Sequence, residues 1–158
     1  MDKTFIAKKL GEVLAFCNVG VETFEKGRNA LIQKYGESKV DELIAKLKSF
    51  SQELISHFPD DEMRSIGLAK AESTGAKLRT LRDTYVGDEW DNATELSEWS
   101  GFFEGAAIVH WQLVAGAAEG MPDNKLSEMA KENIDLHQQF LDRVSETLKT
   151  IGKQRAIA

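Results

Sequence analysis

Proline is nearly missing from this chain: two of 158 residues, Pro59 and Pro122, against a usual share of about 5%. Because proline interrupts helices, its scarcity favours long helices with few connections. Cysteine occurs once, at Cys17. That excludes an intrachain disulfide and a thiolate metal cluster. The thiol falls on an apolar stripe and has no cationic neighbour in sequence, so it is expected to be a buried small hydrophobe. No hydrophobic run is long enough to span a bilayer. The most apolar stretch, 102–118, contains Glu104, His110 and Gln112 and falls short of the roughly 20 residues required. Lysines interrupt the opening residues, MDKTFIAKKLGEV, so no signal-peptide core is expected. The expectation is a soluble cytoplasmic protein with no membrane association.

Positive charge is also in deficit. The formal net charge is −6 and the pI about 5.2, whereas a nucleic-acid-binding face must neutralise phosphates. No nucleic-acid partner is expected. The densest basic run, Lys77, Arg79 and Arg82 with Lys70 upstream, is spaced helically and reads as a solvated helix face. Catalytic signatures are absent as well: there is no G-x-S-x-G, no phosphate-binding loop and no G-x-G-x-x-G. No catalytic residue is assigned, and an enzyme is not expected.

What is present is helical periodicity. Residues 4–35 carry Ile6, Leu10, Val13, Cys17, Gly20, Phe24 and Leu31 at steps of three and four, missing a beat near Gly27. A second helix over 39–58, capped by Ser38, presents Val40, Leu43, Leu47, Phe50, Leu54 and Phe58, widened by Ile44 and Ile55. A third over 61–85, capped by Asp60, turns Met63, Ile66, Leu78, Leu81 and Tyr85 inward. It is weak enough around Ser73 to Gly75 to break there. A fourth, from Trp90 or Ala93 to Glu119, has Leu96, Trp99, Phe103, Ala106, His110, Leu113 and Ala117 as its main stripe. Its other faces are apolar too, so it is expected to be buried all round, as the central helix, a subunit contact, or both. A fifth over 125–151, capped by Asp123 or Asn124, presents Leu126, Met129, Asn133, His137, Phe140, Val144, Leu148 and Ile151. The chain reads as all-α: an up-and-down antiparallel bundle of four long helices plus one extra helix. It forms one domain over 1–152, with a frayed tail over 153–158.

Two histidines fall on inward stripes, His110 and His137. If the last two helices form a hairpin around 120–123, His110 lies opposite Asn133 and His137 opposite Ala106. An imidazole facing an amide satisfies both polar groups, so His110 and Asn133 are expected to pair. Glu104 interrupts an apolar face and is expected to meet a lysine or arginine across an interface. His57 and Glu53, near the end of the second helix, look exposed. The candidate ligand-binding residues are His110, His137, Glu104, Trp111 and Asn133. Two imidazoles leave a divalent ion short of ligands, so no metal ligand and no cofactor are assigned. Gly101, Gly105, Gly116 and Gly120 are spaced four apart in two pairs. Glycine within a helix costs about 1 kcal/mol relative to alanine, which suggests close approach by another backbone.

The run Glu98-Trp99-Ser100-Gly101-Phe102-Phe103-Glu104-Gly105-Ala106-Ala107-Ile108-Val109-His110-Trp111, followed by Leu136-His137, resembles the helical hairpins of ferritin-like bundle proteins. The resemblance implies a ferritin-like outline. Members of that family bind di-iron through a glutamate followed three residues later by a histidine. Here Ala107 and Ile134 stand three residues before His110 and His137, so the resemblance implies that ferroxidase chemistry is lost. The expected function is that of a non-catalytic bundle acting through self-association, as a homodimer through its fourth helix, or through a protein partner. The alternative is a protein that binds a metal, haem or small ligand inside the last hairpin.

Overall fold

The computed structural model describes residues 2–158. Six helices and no strand occur among them: α1 (Lys3–Lys26), α2 (Arg28–Tyr35), α3 (Glu37–His57), α4 (Asp61–Val86), α5 (Ala93–Gly120) and α6 (Asn124–Ala156). None is long and apolar enough to cross a membrane.

The single helix expected over 4–35 divides at Gly27. The bend keeps its hydrogen bonds, from Gly27 N–H to Thr23 O at 2.9 Å and from Leu31 N–H to Gly27 O at 3.0 Å. A side chain at Gly27 would lie 2.8 Å from Leu96 Cδ1. The missing beat in the stripe therefore marks where α1 ends and the chain rotates against α5. Gly36, at φ 83°, then turns the chain from α2 into α3. Ser38 is not the cap expected of it; it lies inside the first turn of α3. Acidic caps start the later helices: Asp60 accepts from Met63 N–H at 2.8 Å, and Asp123 accepts from Leu126 N–H at 3.0 Å. Asn92 caps α5.

The stripe expected on α3 is buried from Val40 to Phe58, with Ile55 left exposed at its edge. That on α6 is buried from Leu126 to Val144. α6 continues past its expected end to Ala156. α4 does not break near Ser73; it is continuous because its small residues are its packing face. A side chain on Gly11 of α1 would collide with the Gly67 carbonyl oxygen, and one on Gly67 would collide with the Phe58 ring. Ala7 and Ala71, both small, are buried on the same two helices. Leu81 and Tyr85, expected inside, are 60% and 37% exposed, because the α1-facing stripe passes through Arg82 and Val86 instead.

The central helix is α1, not the fourth helix of the sequence reading. From Leu10 to Phe24 it has no exposed residue, and it packs against α3, α4 and α5. Its polar side chains disguised this. Glu22 meets Arg79 at 2.6 Å, Glu12 meets Lys70 at 3.8 Å, and Asn18 accepts from Ser51 at 2.9 Å. The basic run of α4 is thus only partly a solvated face. Arg82 is buried beneath Trp90, and Arg79 and Lys70 lean onto α1. Cys17 is fully buried in this core, and burial pushes its thiol up to about 12.

Candidate functional site

α5 and α6 pack along their length as an antiparallel hairpin. The face of α5 buried there runs through Ser97, Ser100, Glu104, Ala107, Trp111, Val114 and Ala118, at alternating steps of three and four. It is rotated from the stripe expected through Ala106, His110 and Leu113. That rotation decides which polar side chains meet.

Glu104 and His137 form the centre of the seam. Each is nearly inaccessible, and a Glu104 carboxylate oxygen meets His137 Nδ1 in a short hydrogen bond. Glu104 therefore has an imidazole partner, not the lysine or arginine expected. With the carboxylate ionised, Nδ1–H donates to it. The other ring nitrogen, Nε2, is then an acceptor when the ring is neutral. Nε2 is buried without a protein partner.

Asn133 lies one turn before His137 on the same face. Its amide donates to Met129 O at 2.9 Å, and its Oδ1 has no partner. The indole N–H groups of Trp111 and Trp99 are buried and unpartnered as well. Buried polar atoms normally find a partner, so this concentration along one pair of helices is the strongest polar anomaly in the core.

His110 does not belong to it. Its Nδ1 approaches Ala106 O at 2.7 Å, and its ring packs on Phe16 of α1 with centroids 4.8 Å apart. The expected His110–Asn133 pair is absent because the α5 rotation turns His110 toward α1. Of the five candidate residues, Glu104, His137, Asn133 and Trp111 share the α5–α6 interior. Sequence reasoning missed the Glu104–His137 pairing, because the seam through Glu104, Ala107 and Trp111 is no more apolar than the stripe through Ala106, His110 and Leu113. Among the described residues, no three His, Cys, Asp or Glu side chains converge to hold a metal ion.

The opposite face of α5 is open. Phe102 is 64% exposed, Val109 62% and Leu113 40%. Within one chain the helix is therefore not buried all round, which leaves the subunit-contact alternative for this face. Nor do its glycines meet another backbone within the chain: side chains built on Gly101, Gly105, Gly116 and Gly120 would touch nothing within 4 Å. From Phe102 to Gly116 the strip is about 21 Å long at 1.5 Å per residue. Glu104 is the only charged residue between those positions, and it points inward. Tyr85 extends the strip at one end, its ring 5.2 Å from that of Phe102.

His57 is not exposed as expected, nor paired with Glu53. It bonds Asp123 at 2.7 Å and joins the end of α3 to the start of α6. Burial alone would raise the Asp123 carboxyl. The Leu126 N–H, the His57 ring and the Lys125 N–H outweigh that and hold it below its ordinary value.

No protein-family model matches the chain, and no curated protein or solved structure matches it.

Proposed function

We propose that this is a non-catalytic, cytoplasmic helical-bundle protein that acts as a homodimer through the outer face of α5. The observation that carries the reading is the uncharged strip of Phe102, Val109 and Leu113 set beside Gly105 and Gly116, with nothing packed over it. An apolar face of this kind marks an interaction surface when it is contiguous. A second copy is the favoured occupant because the strip offers no charge with which to select a different partner. It also alternates large and small residues along one helix. Two copies related by a two-fold axis would lay Phe102 of each over the glycines of the other, the self-complementary arrangement a closed dimer requires.

Light scattering at micromolar concentration is expected to give about twice 17.6 kDa. Val109→Glu is expected to give the monomer without unfolding it, since Val109 is already open to solvent. A monomeric parent would sink the reading.

The polar interior favours a second reading, in which the α5–α6 hairpin binds a metal, haem or small ligand. His137 Nε2, Asn133 Oδ1 and the Trp111 N–H are its candidate contacts. A ferritin-like outline would suit either reading and rests on the long hairpin with an internal glutamate and histidine. Metal analysis of chelator-free, untagged protein tests the metal form of this second reading. Less than about one-tenth of an equivalent is expected, because a bound divalent ion needs more ligands than one imidazole and one carboxylate.

A further inference from the structure

At the end of the bundle where α1, α4 and α6 begin and α3 ends, the side chains enclose a cavity of about 260 Å³ open to solvent on one side. Its walls are apolar: Ile6, Leu10, Phe58, Met63 and Leu126 among them. The deeper walls are fixed. Leu10, Phe58 and Leu126 are buried, and the Phe58 ring is held against Gly67 by the α1–α4 approach. An apolar cavity of about 150 Å³ suffices for benzene, and a water-sized group takes about 30 Å³. The space therefore admits about eight or nine such groups.

The polar groups lie at the mouth. His57 and Asp123 are bonded to each other, and the second oxygen of Asp123 caps α6. Asp2, next to Lys3 in sequence but outside the cavity lining, is engaged on the Phe5 N–H. Lys9 pairs with Glu12, whereas Lys3, which lines the mouth, forms no ion pair among the described residues. The mouth thus holds one cation outside any ion pair, beside an Asp123 carboxylate whose two oxygens are already engaged, above an apolar chamber.

We infer that this cavity is a binding site for a medium-chain monocarboxylate, its chain among Ile6, Leu10, Phe58, Met63 and Leu126 and its carboxylate at Lys3. The site is separate from both the α5 strip and the α5–α6 interior, so it stands or falls independently of them.

The test is calorimetric titration of the full chain with octanoate, octan-1-ol and octylamine. Octanoate is expected to bind saturably at one site and octylamine more weakly than octan-1-ol. Lys3→Gln, on the surface, is expected to weaken octanoate about two- to five-fold, the scale of an exposed ion pair, and to leave octan-1-ol unchanged. Ile6→Trp, filling the chamber from its rim, is expected to abolish both. Absence of saturable octanoate binding at millimolar concentration overturns the inference. So does octylamine binding as well as octanoate, or octanoate affinity that Lys3→Gln does not change. The Lys3 variant and the three probes keep the test decisive even if Ile6→Trp folds poorly.

Discussion

Breaking the Glu104–His137 pair from either side should cost unequal amounts, and breaking it from both sides should cost less than the sum. His137→Leu leaves a carboxylate on a side chain that is 2% exposed, with its imidazole partner gone. Removing one member of a buried charged pair typically costs about 3–5 kcal/mol. Glu104→Leu instead leaves the imidazole with one unmet N–H, which costs about 1–3 kcal/mol. The double variant removes both polar groups from a core already lined by Ala107, Trp111 and Leu136. Apolar replacement of a whole buried pair is often neutral, so the double variant is expected to recover most of the summed single losses, a coupling of about 4 kcal/mol or more in the double-mutant cycle. Glu104→Gln keeps an acceptor for Nδ1–H and should cost the least of the single changes. The assay is urea denaturation followed by circular dichroism. With a slope of about 2 kcal/mol per molar urea, the His137→Leu midpoint should fall by about 2 M. Single variants within about 0.5 kcal/mol of the parent would refute the reasoning, because the pair would then not be holding the seam. A double variant costing the full sum would refute the coupling.

Two further outcomes follow from the packing. Gly67→Ala must displace the Phe58 ring and should destabilise the chain by about 1–3 kcal/mol, the usual cost of overpacking. Gly105→Ala meets open space and should stabilise a monomeric background such as Val109→Glu by about 0.5–1 kcal/mol; a loss of stability in urea melts there would show that α5 is packed differently. Asp123 is held below its ordinary carboxyl value, so its contribution is full above the unfolded carboxyl pKa and is lost as pH falls through the lower folded value. Asp123→Asn should therefore flatten the acid limb of the stability curve below about pH 4, and an unchanged limb would contradict the His57–Asp123 link.

The helices were legible because their apolar stripes repeat for many turns. On α3 and α6 the expected residues are the buried ones almost without exception. The failures share one cause: an apolar side chain names a helix but does not rank its faces. Along α5 every face is apolar, so periodicity could not choose between the seam through Glu104 and Trp111 and the one through His110 and Leu113. On α1 the reverse occurred. Glu12, Asn18 and Glu22 look like a solvated face, yet each is covered by a partner on α3 or α4. Those partners lie more than thirty residues away in sequence, beyond any local pattern. Four of the candidate residues, Glu104, His137, Asn133 and Trp111, fall together in the α5–α6 interior, but their pairing was not legible. Pairing depends on helix rotation, and a shift of one residue turns a helix face by about 100°.

The glycines show how the same residue type carries opposite meanings in this chain. Glycine is costly in a helix, so each one asks what it permits. Gly11 and Gly67 answer within the fold: their missing side chains let α1 and α4 touch backbone to backbone, and the small middle of α4, which looked like a weak point, is what joins it to the central helix. Gly101, Gly105, Gly116 and Gly120 have no such answer inside the chain. They share a helix with Phe102 and Val109, whose exposure is equally unexplained by the fold. Two independent anomalies, unpaid backbone entropy and unburied apolar surface, therefore coincide on one helix. A second α5 laid across that strip removes both at once, whereas a ligand in the α5–α6 interior removes neither. That difference is why self-association stands ahead of interior binding as the reading of this protein.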